Sequence, residues 1–237
     1  MLHLIFKRIC EVQVVTDLNV MISKFAGLTQ KRKLPLASFL LLGGCLLAAT
    51  PAQAHHPFGG GLPKTVLAGF LSGIGHPVIG IDHLVFVIAA GLLAVLQRRG
   101  IAIPVAFVLM SLVGTGIHLM RLDLPGSELV ISASVLLFGV LLALKNRLNL
   151  MLVVGLGAIA GIFHGYAYGE AIVGAEMTPL VAYLAGFALI QLVISLSAYL
   201  IGKRVIEQGT EQSLPLRFAG CAICGIGMTL INAILFG

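Results

Sequence analysis

TVLAGFLSGIGHPVIGIDHLVFVIAAGLLAVLQ, residues 65–97, runs for 33 residues without a lysine or arginine and with Asp82 as its one acid. A straight α-helix of that length would extend about 50 Å, against a bilayer core of about 30 Å. The run therefore has to break, and Gly73, Gly75 and Pro77 mark the place. Proline suits the first turn of a helix. That predicts a helix starting at Pro77, with His76 as its N-cap and Asp82-His83 one to two turns in. On a straight helix His76 and His83 share a face but stand about 10.5 Å apart along the axis. An ion with ligand bonds of about 2.1 Å could take both only if the helix unwinds at Gly75 or Gly80.

The rest of the chain has the same character. Of 237 residues, 59% are apolar and 10% charged, with 29 glycines and no tryptophan. A soluble domain carries about a quarter charged residues, so this composition excludes a soluble globular enzyme, a nucleic-acid binder and a disordered chain. The fold class is all-α: a polytopic membrane protein whose lipid partner is the bilayer. Six spans are expected, near 77–96, 101–120, 129–145, 148–169, 179–201 and 216–236. The net charge of +6 does not signal an acidic partner, because Lys7, Arg8, Lys24, Lys31, Arg32 and Lys33 all precede residue 34 and the remainder is near neutral.

Those early cations belong to a targeting segment. Lys31-Arg32-Lys33, the apolar run from Leu34 to Ala49 and the small-x-small triplet Ala52-Gln53-Ala54 form the three parts of a signal peptide. The chain thus divides into residues 1–54, an N-terminal extension with signal peptide, and residues 55–237, a six-helix membrane domain beginning His55-His56. An uncleaved anchor and lipid attachment at Cys45 are the alternatives, and Met21 is a second candidate start. The loops after spans one, three and five carry Arg98, Arg99, Lys145, Arg147, Lys203, Arg204 and Arg217. The other side has only Lys64 and Arg121. By the positive-inside rule both mature termini face outward.

Span four carries Gly157, Gly161, Gly165 and Gly169, a small-residue ladder that lets a neighbouring backbone approach closely. Chemistry falls to the few ionisable groups at membrane depth, each costly there and so a functional candidate: His76, Asp82, His83, His118 and His164. With outward termini, His118 lies in the outermost turn of span two. His164 lies about two turns below the outer end of span four, with Tyr168 one turn above it and Glu170 just beyond. Three helices would then place imidazoles and a carboxylate in the outer half of the membrane, a ligand set suited to borderline divalent metals. Asp82 could also orient a ligating imidazole.

HPVIGIDH (76–83) matches the HPxxGxDH pattern of the HupE/UreJ family, and FHGYAYGE (163–170) resembles that family's second motif, FHGxAHGxE. AGF (185–187) follows at about the expected distance. The resemblance covers residues 55–237 and implies a bacterial nickel or cobalt permease in which His76, Asp82, His83 and His164 belong to the metal path. Tyr168 stands where the family often has a second histidine. The motif's acid is also displaced, Glu170 coming one position early and Glu176 being the other counterpart. A protonated tyrosine is a poor ligand for nickel or cobalt, so that ligand is either absent or supplied by His118 or Glu170. The pattern resembles the cyanobacterial branch of the family, where cobalt is as plausible as nickel.

Other signals are weaker. His55, His56 and a free amine could capture a divalent cation at the mature terminus, or form an unstructured end. Cys221 and Cys224 form a CxxC in mid-span, read as small buried hydrophobes. No GxxxxGK[ST] loop or GxSxG elbow occurs, so neither ATP use nor a serine nucleophile is expected. The reading is a non-enzymatic inner-membrane permease for Ni²⁺ or Co²⁺, with no prosthetic group, no nucleic-acid partner and homo-oligomerisation left open. The rival is an intramembrane zinc hydrolase of ceramidase-like type, with three histidines on one metal and Asp82 orienting a water.

Overall fold

The computed structural model describes residues 61–144, 149–208 and 214–236. Among them stand seven α-helices and no strand. The helices are α1 (Val66–Ile79), α2 (Ile81–Val95), α3 (Ala102–Leu119), α4 (Ser127–Ala143), α5 (Leu150–Glu170), α6 (Met177–Gln208) and α7 (Leu214–Phe236). Local chemistry sets several ends. The Thr65 hydroxyl accepts from the Ala68 N–H to start α1. Asn149 caps α5 in the same way, its side chain accepting from the Met151 N–H. Gly126, at φ 71°, supplies the left-handed turn that opens α4.

The long apolar run does break, but not where the glycine–proline cluster suggests. Pro77 lies inside the last turn of α1, and His76 with it. The break is at Gly80, whose N–H donates to the His76 carbonyl at 3.1 Å and whose carbonyl accepts from Leu84 N–H at 2.9 Å. One residue closes α1 and opens α2, and the two axes bend by 80°. Pro77 lacks an N–H and crowds only the turn before it, so the helix carries on through it and ends where Gly80 takes extended backbone, φ −70° and ψ 108°. His76 is therefore not an N-cap, and the first span is not a single helix over 77–96.

Four helices, α3, α5, α6 and α7, are long and apolar enough to cross a membrane, and the α1–α2 pair makes five if it counts as one bent span. α4 is apolar but has 17 residues, about 25 Å of rise. α6 has 32 residues, so Lys203 and Arg204 extend the helix beyond its apolar part rather than sitting in a loop. The expected signal segment, His55, His56, Lys145 and Arg147 lie outside the described residues.

Glycines decide which helices pack most closely. A Cβ at Gly161 or Gly165 would strike the backbone of α3 at Phe107 or Ser111, and one at Gly169 would meet His118. The ladder in α5 thus seats α3, as its spacing implies. Gly114 of α3 returns the approach against Ile162. Gly69 and Gly73 of α1 meet α6 at Pro179 and Tyr183, and Gly139 of α4 meets α7 at Gly220 and Cys224. α2 stands in the middle, touching α3, α4, α6 and α7. Its Phe86 packs against Phe107 and Phe138, ring centroids 4.7 and 4.5 Å away, in the main apolar core. Outward faces are apolar too: Leu109, Val113, Leu189, Val193 and Leu196 are exposed, as lipid-facing side chains would be.

Candidate metal centre

The bend at Gly80 is what builds the site. It sets α1 at 80° to α2, and the rings of His76 and His83 come to a centroid separation of 5.8 Å. A continuous helix would hold them about 10.5 Å apart along its axis. No side chain could occupy position 80 without disturbance, since a Cβ there would lie 2.7 Å from Cδ2 of His83 and 3.1 Å from Oδ1 of Asp82. Asp82 is half-buried in the first turn of α2, where Oδ1 accepts from the His83 N–H at 2.8 Å. A carboxylate is favoured there because the first N–H groups of a helix have no partner within it.

α5 supplies the opposing wall. Nδ1 of His164 lies 2.8 Å from Nδ1 of His83, and Nε2 of His164 lies 3.0 Å from Oγ of Ser134 on α4. The Ser134 hydroxyl also donates to the Ile131 carbonyl at 2.6 Å. One turn along α5, the Tyr168 ring packs 5.1 Å from that of His76 and 4.5 Å from that of His83. α6 completes the site with Tyr183. Its hydroxyl lies 3.1 Å from Nδ1 of His76 and donates to the Tyr168 carbonyl at 2.9 Å. His164 and Tyr168 have no exposed surface, and Tyr183 and His83 have little. The hydroxyl of Tyr168 is buried without a hydrogen-bond partner, beside the two histidines on which its ring packs.

The expected residues separate into two groups. His76, Asp82, His83 and His164 stand together around the break. His118 does not join them: its ring packs at a tilt against Tyr166, centroids 4.3 Å apart, its Nδ1 is buried without a partner, and Tyr166 in turn donates to exposed Asp123 at 3.3 Å. Glu170 is exposed at the end of α5, and Glu176 is exposed just before α6. Among the described residues no group of three or more His, Cys, Asp or Glu side chains is placed to hold one metal ion. The site therefore presents three imidazoles, those of His76 and His164 each beside His83, with the hydroxyls of Tyr168, Tyr183 and Ser134 around them. Cys224 of α7 packs against Gly139 of α4, and its thiol donates to the Leu136 carbonyl at 3.8 Å.

Ser134 and Tyr183 escape a reading of sequence. Ser134 carried a signal, being one of two serines, with Ser132, within the apolar part of α4; a polar group at membrane depth needs a partner. Tyr183, in an ordinary apolar stretch, carried none.

A family model described as HupE / UreJ protein matches residues 43–230. Among curated proteins the chain is similar to one named Protein HupE from Rhizobium leguminosarum bv. viciae, 27% identical over 165 residues, which cover 69% of this chain and 84% of that protein. No solved structure matches the chain.

Proposed function

The chain belongs to the HupE/UreJ family, and from that premise we propose that it is a permease carrying Ni²⁺ or Co²⁺ inward across the bacterial inner membrane. The observation that supports this best is the Gly80 break, which gathers His76, Asp82 and His83 beside His164 inside an apolar helical bundle. Broken helices at membrane depth are where secondary transporters place ion sites, since the interrupted turn frees polar groups. Imidazole nitrogens with a nearby carboxylate suit a borderline divalent cation, which is the cargo here and not a resident cofactor. Two imidazoles bind more loosely than a closed tetrahedral set, as a site that must release its ion requires.

In this reading the bent α1–α2 pair and α3 to α7 make six spans, α4 being the shortest. A signal peptide is removed after Ala54, and both mature termini face outward. Asp123, Glu170 and Glu176 gather cations at the outer mouth, with His118 below them and His55-His56 at the terminus. The membrane potential or proton exchange on the histidines drives passage. The chain performs no chemical conversion. The hydrolase reading has less support, since its single tight three-ligand site has no counterpart among the described residues.

The test is uptake of radioactive nickel and cobalt in cells lacking their own high-affinity systems, normalised to the amount of protein in the membrane. Asp82→Asn preserves size and one acceptor oxygen but removes the charge, and His83→Ala removes the ligand. Both should abolish uptake while leaving the protein inserted. Near-normal uptake of both metals by Asp82→Asn would remove that carboxylate from the ion path. Stoichiometric zinc retained through washing of the purified protein would favour the hydrolase instead.

A further inference from the structure

We propose that Ser134 is a positioning residue, which acts through His164 to keep the imidazole of His83 in the form that bears its proton on Nδ1 and its lone pair on Nε2. A carbonyl can only accept, so the single hydrogen of the Ser134 hydroxyl goes to Ile131 O, 2.6 Å away. Toward Nε2 of His164, at 3.0 Å, the serine oxygen therefore has only lone pairs, and the imidazole must donate. A neutral His164 with its hydrogen on Nε2 has a bare Nδ1. The 2.8 Å contact between that nitrogen and Nδ1 of His83 needs one hydrogen, and only His83 can supply it. The lone pair of neutral His83 is thus assigned to Nε2. That nitrogen is bonded to Cδ2, the ring carbon that lies against Gly80 at the helix break.

His76 is held by the same logic from another helix. The hydrogen of Tyr183 goes to the Tyr168 carbonyl, so Tyr183 accepts from Nδ1 of His76, and the lone pair of neutral His76 also falls on Nε2. Two histidines from α1 and α2, with ring centroids 5.8 Å apart, are wired alike by hydroxyls on α4 and α6. Metal-binding histidines generally have their second nitrogen anchored in this way, and loss of such an anchor costs about 10- to 100-fold in metal affinity. Without the serine oxygen, His164 can move its hydrogen to Nδ1. His83 must then accept there and carry its hydrogen on Nε2, where no lone pair remains for a cation.

This rests on the permease reading only for what the lone pair serves; the tautomers are measurable without any transport. The test compares the wild type with Ser134→Ala and Ser134→Thr, the latter because a helical threonine can still bond a carbonyl one turn back while offering its oxygen. Ring nitrogen shifts of isotope-labelled histidine, in the full protein in bilayers without added metal, report which nitrogen bears the hydrogen. The expected result is a bare Nε2 on His83 in the wild type and Ser134→Thr, and a protonated Nε2 in a large fraction of Ser134→Ala. In parallel, the apparent KM for Ni²⁺ or Co²⁺ uptake should rise by about tenfold or more in Ser134→Ala, with Ser134→Thr close to wild type. A protonated Nε2 on His83 in the wild type, or tautomers unchanged by Ser134→Ala, would overturn the proposal. If the tautomers behave as expected and the wild type moves neither cation, the wiring stands and the permease reading fails.

Discussion

His83 and His164 are 81 positions apart in the chain and meet nitrogen to nitrogen, Nδ1 to Nδ1, at 2.8 Å with almost no exposed surface. Two nitrogens at that distance accommodate one hydrogen between them. A second would set N–H against N–H in a place that water cannot screen.

That geometry gives the pH response a sign. An imidazole that gains a second proton loses the lone pair a cation needs. Initial uptake should therefore fall as the external medium is acidified, with the membrane potential clamped. A steady rise on acidification would mean that proton-coupled import limits the rate and that the histidines do not meet the cation as bases.

Gly80→Ala tests the break itself. The backbone at φ −70°, ψ 108° accepts alanine without strain, but the new methyl would stand 2.7 Å from the His83 ring. The protein should insert and remain folded while uptake drops by on the order of tenfold, the scale of a displaced metal-site anchor. Unchanged uptake with normal protein levels would show that the His83 ring position is not critical.

Gly165→Leu should destabilise the bundle by at least about 1–3 kcal/mol, because its Cβ alone already overlaps the Ser111 backbone of α3. Gly155, on the same helix, has nothing within 4 Å of where a Cβ would stand, so Gly155→Leu is the matched control. Thermal unfolding in detergent should separate the two variants clearly. Equal stabilities would mean that α5 does not use its ladder to seat α3.

Cleavage after Ala54 should leave His55 as the first residue of the membrane-extracted protein, as the basic, apolar and small-residue succession over 31–54 implies. Sequencing from the N-terminus reads this directly. An intact Met1 or Met21, or a blocked Cys45, would refute it.

What depends on neighbours along the chain was legible from the order of residues alone. Apolar runs of membrane length specify helices, the 33-residue run cannot stay straight, and the four-residue glycine spacing of α5 marks a face for close packing. Each follows from 1.5 Å of rise and from the cost of bare backbone in lipid. The rest depended on residues that are distant in sequence. The break falls at Gly80, where the backbone turns extended, rather than at Pro77, and α1 is seated against α6 by contacts at Gly69 and Gly73. Likewise His118 resembles His164 as a residue type, yet one packs against Tyr166 and the other meets His83, because helix rotation and not composition decides which face turns inward. The serine and tyrosine that direct the histidine hydrogens came from α4 and α6, and a hydrogen bond has no range along the sequence: it forms only where packing brings donor and acceptor within about 3 Å.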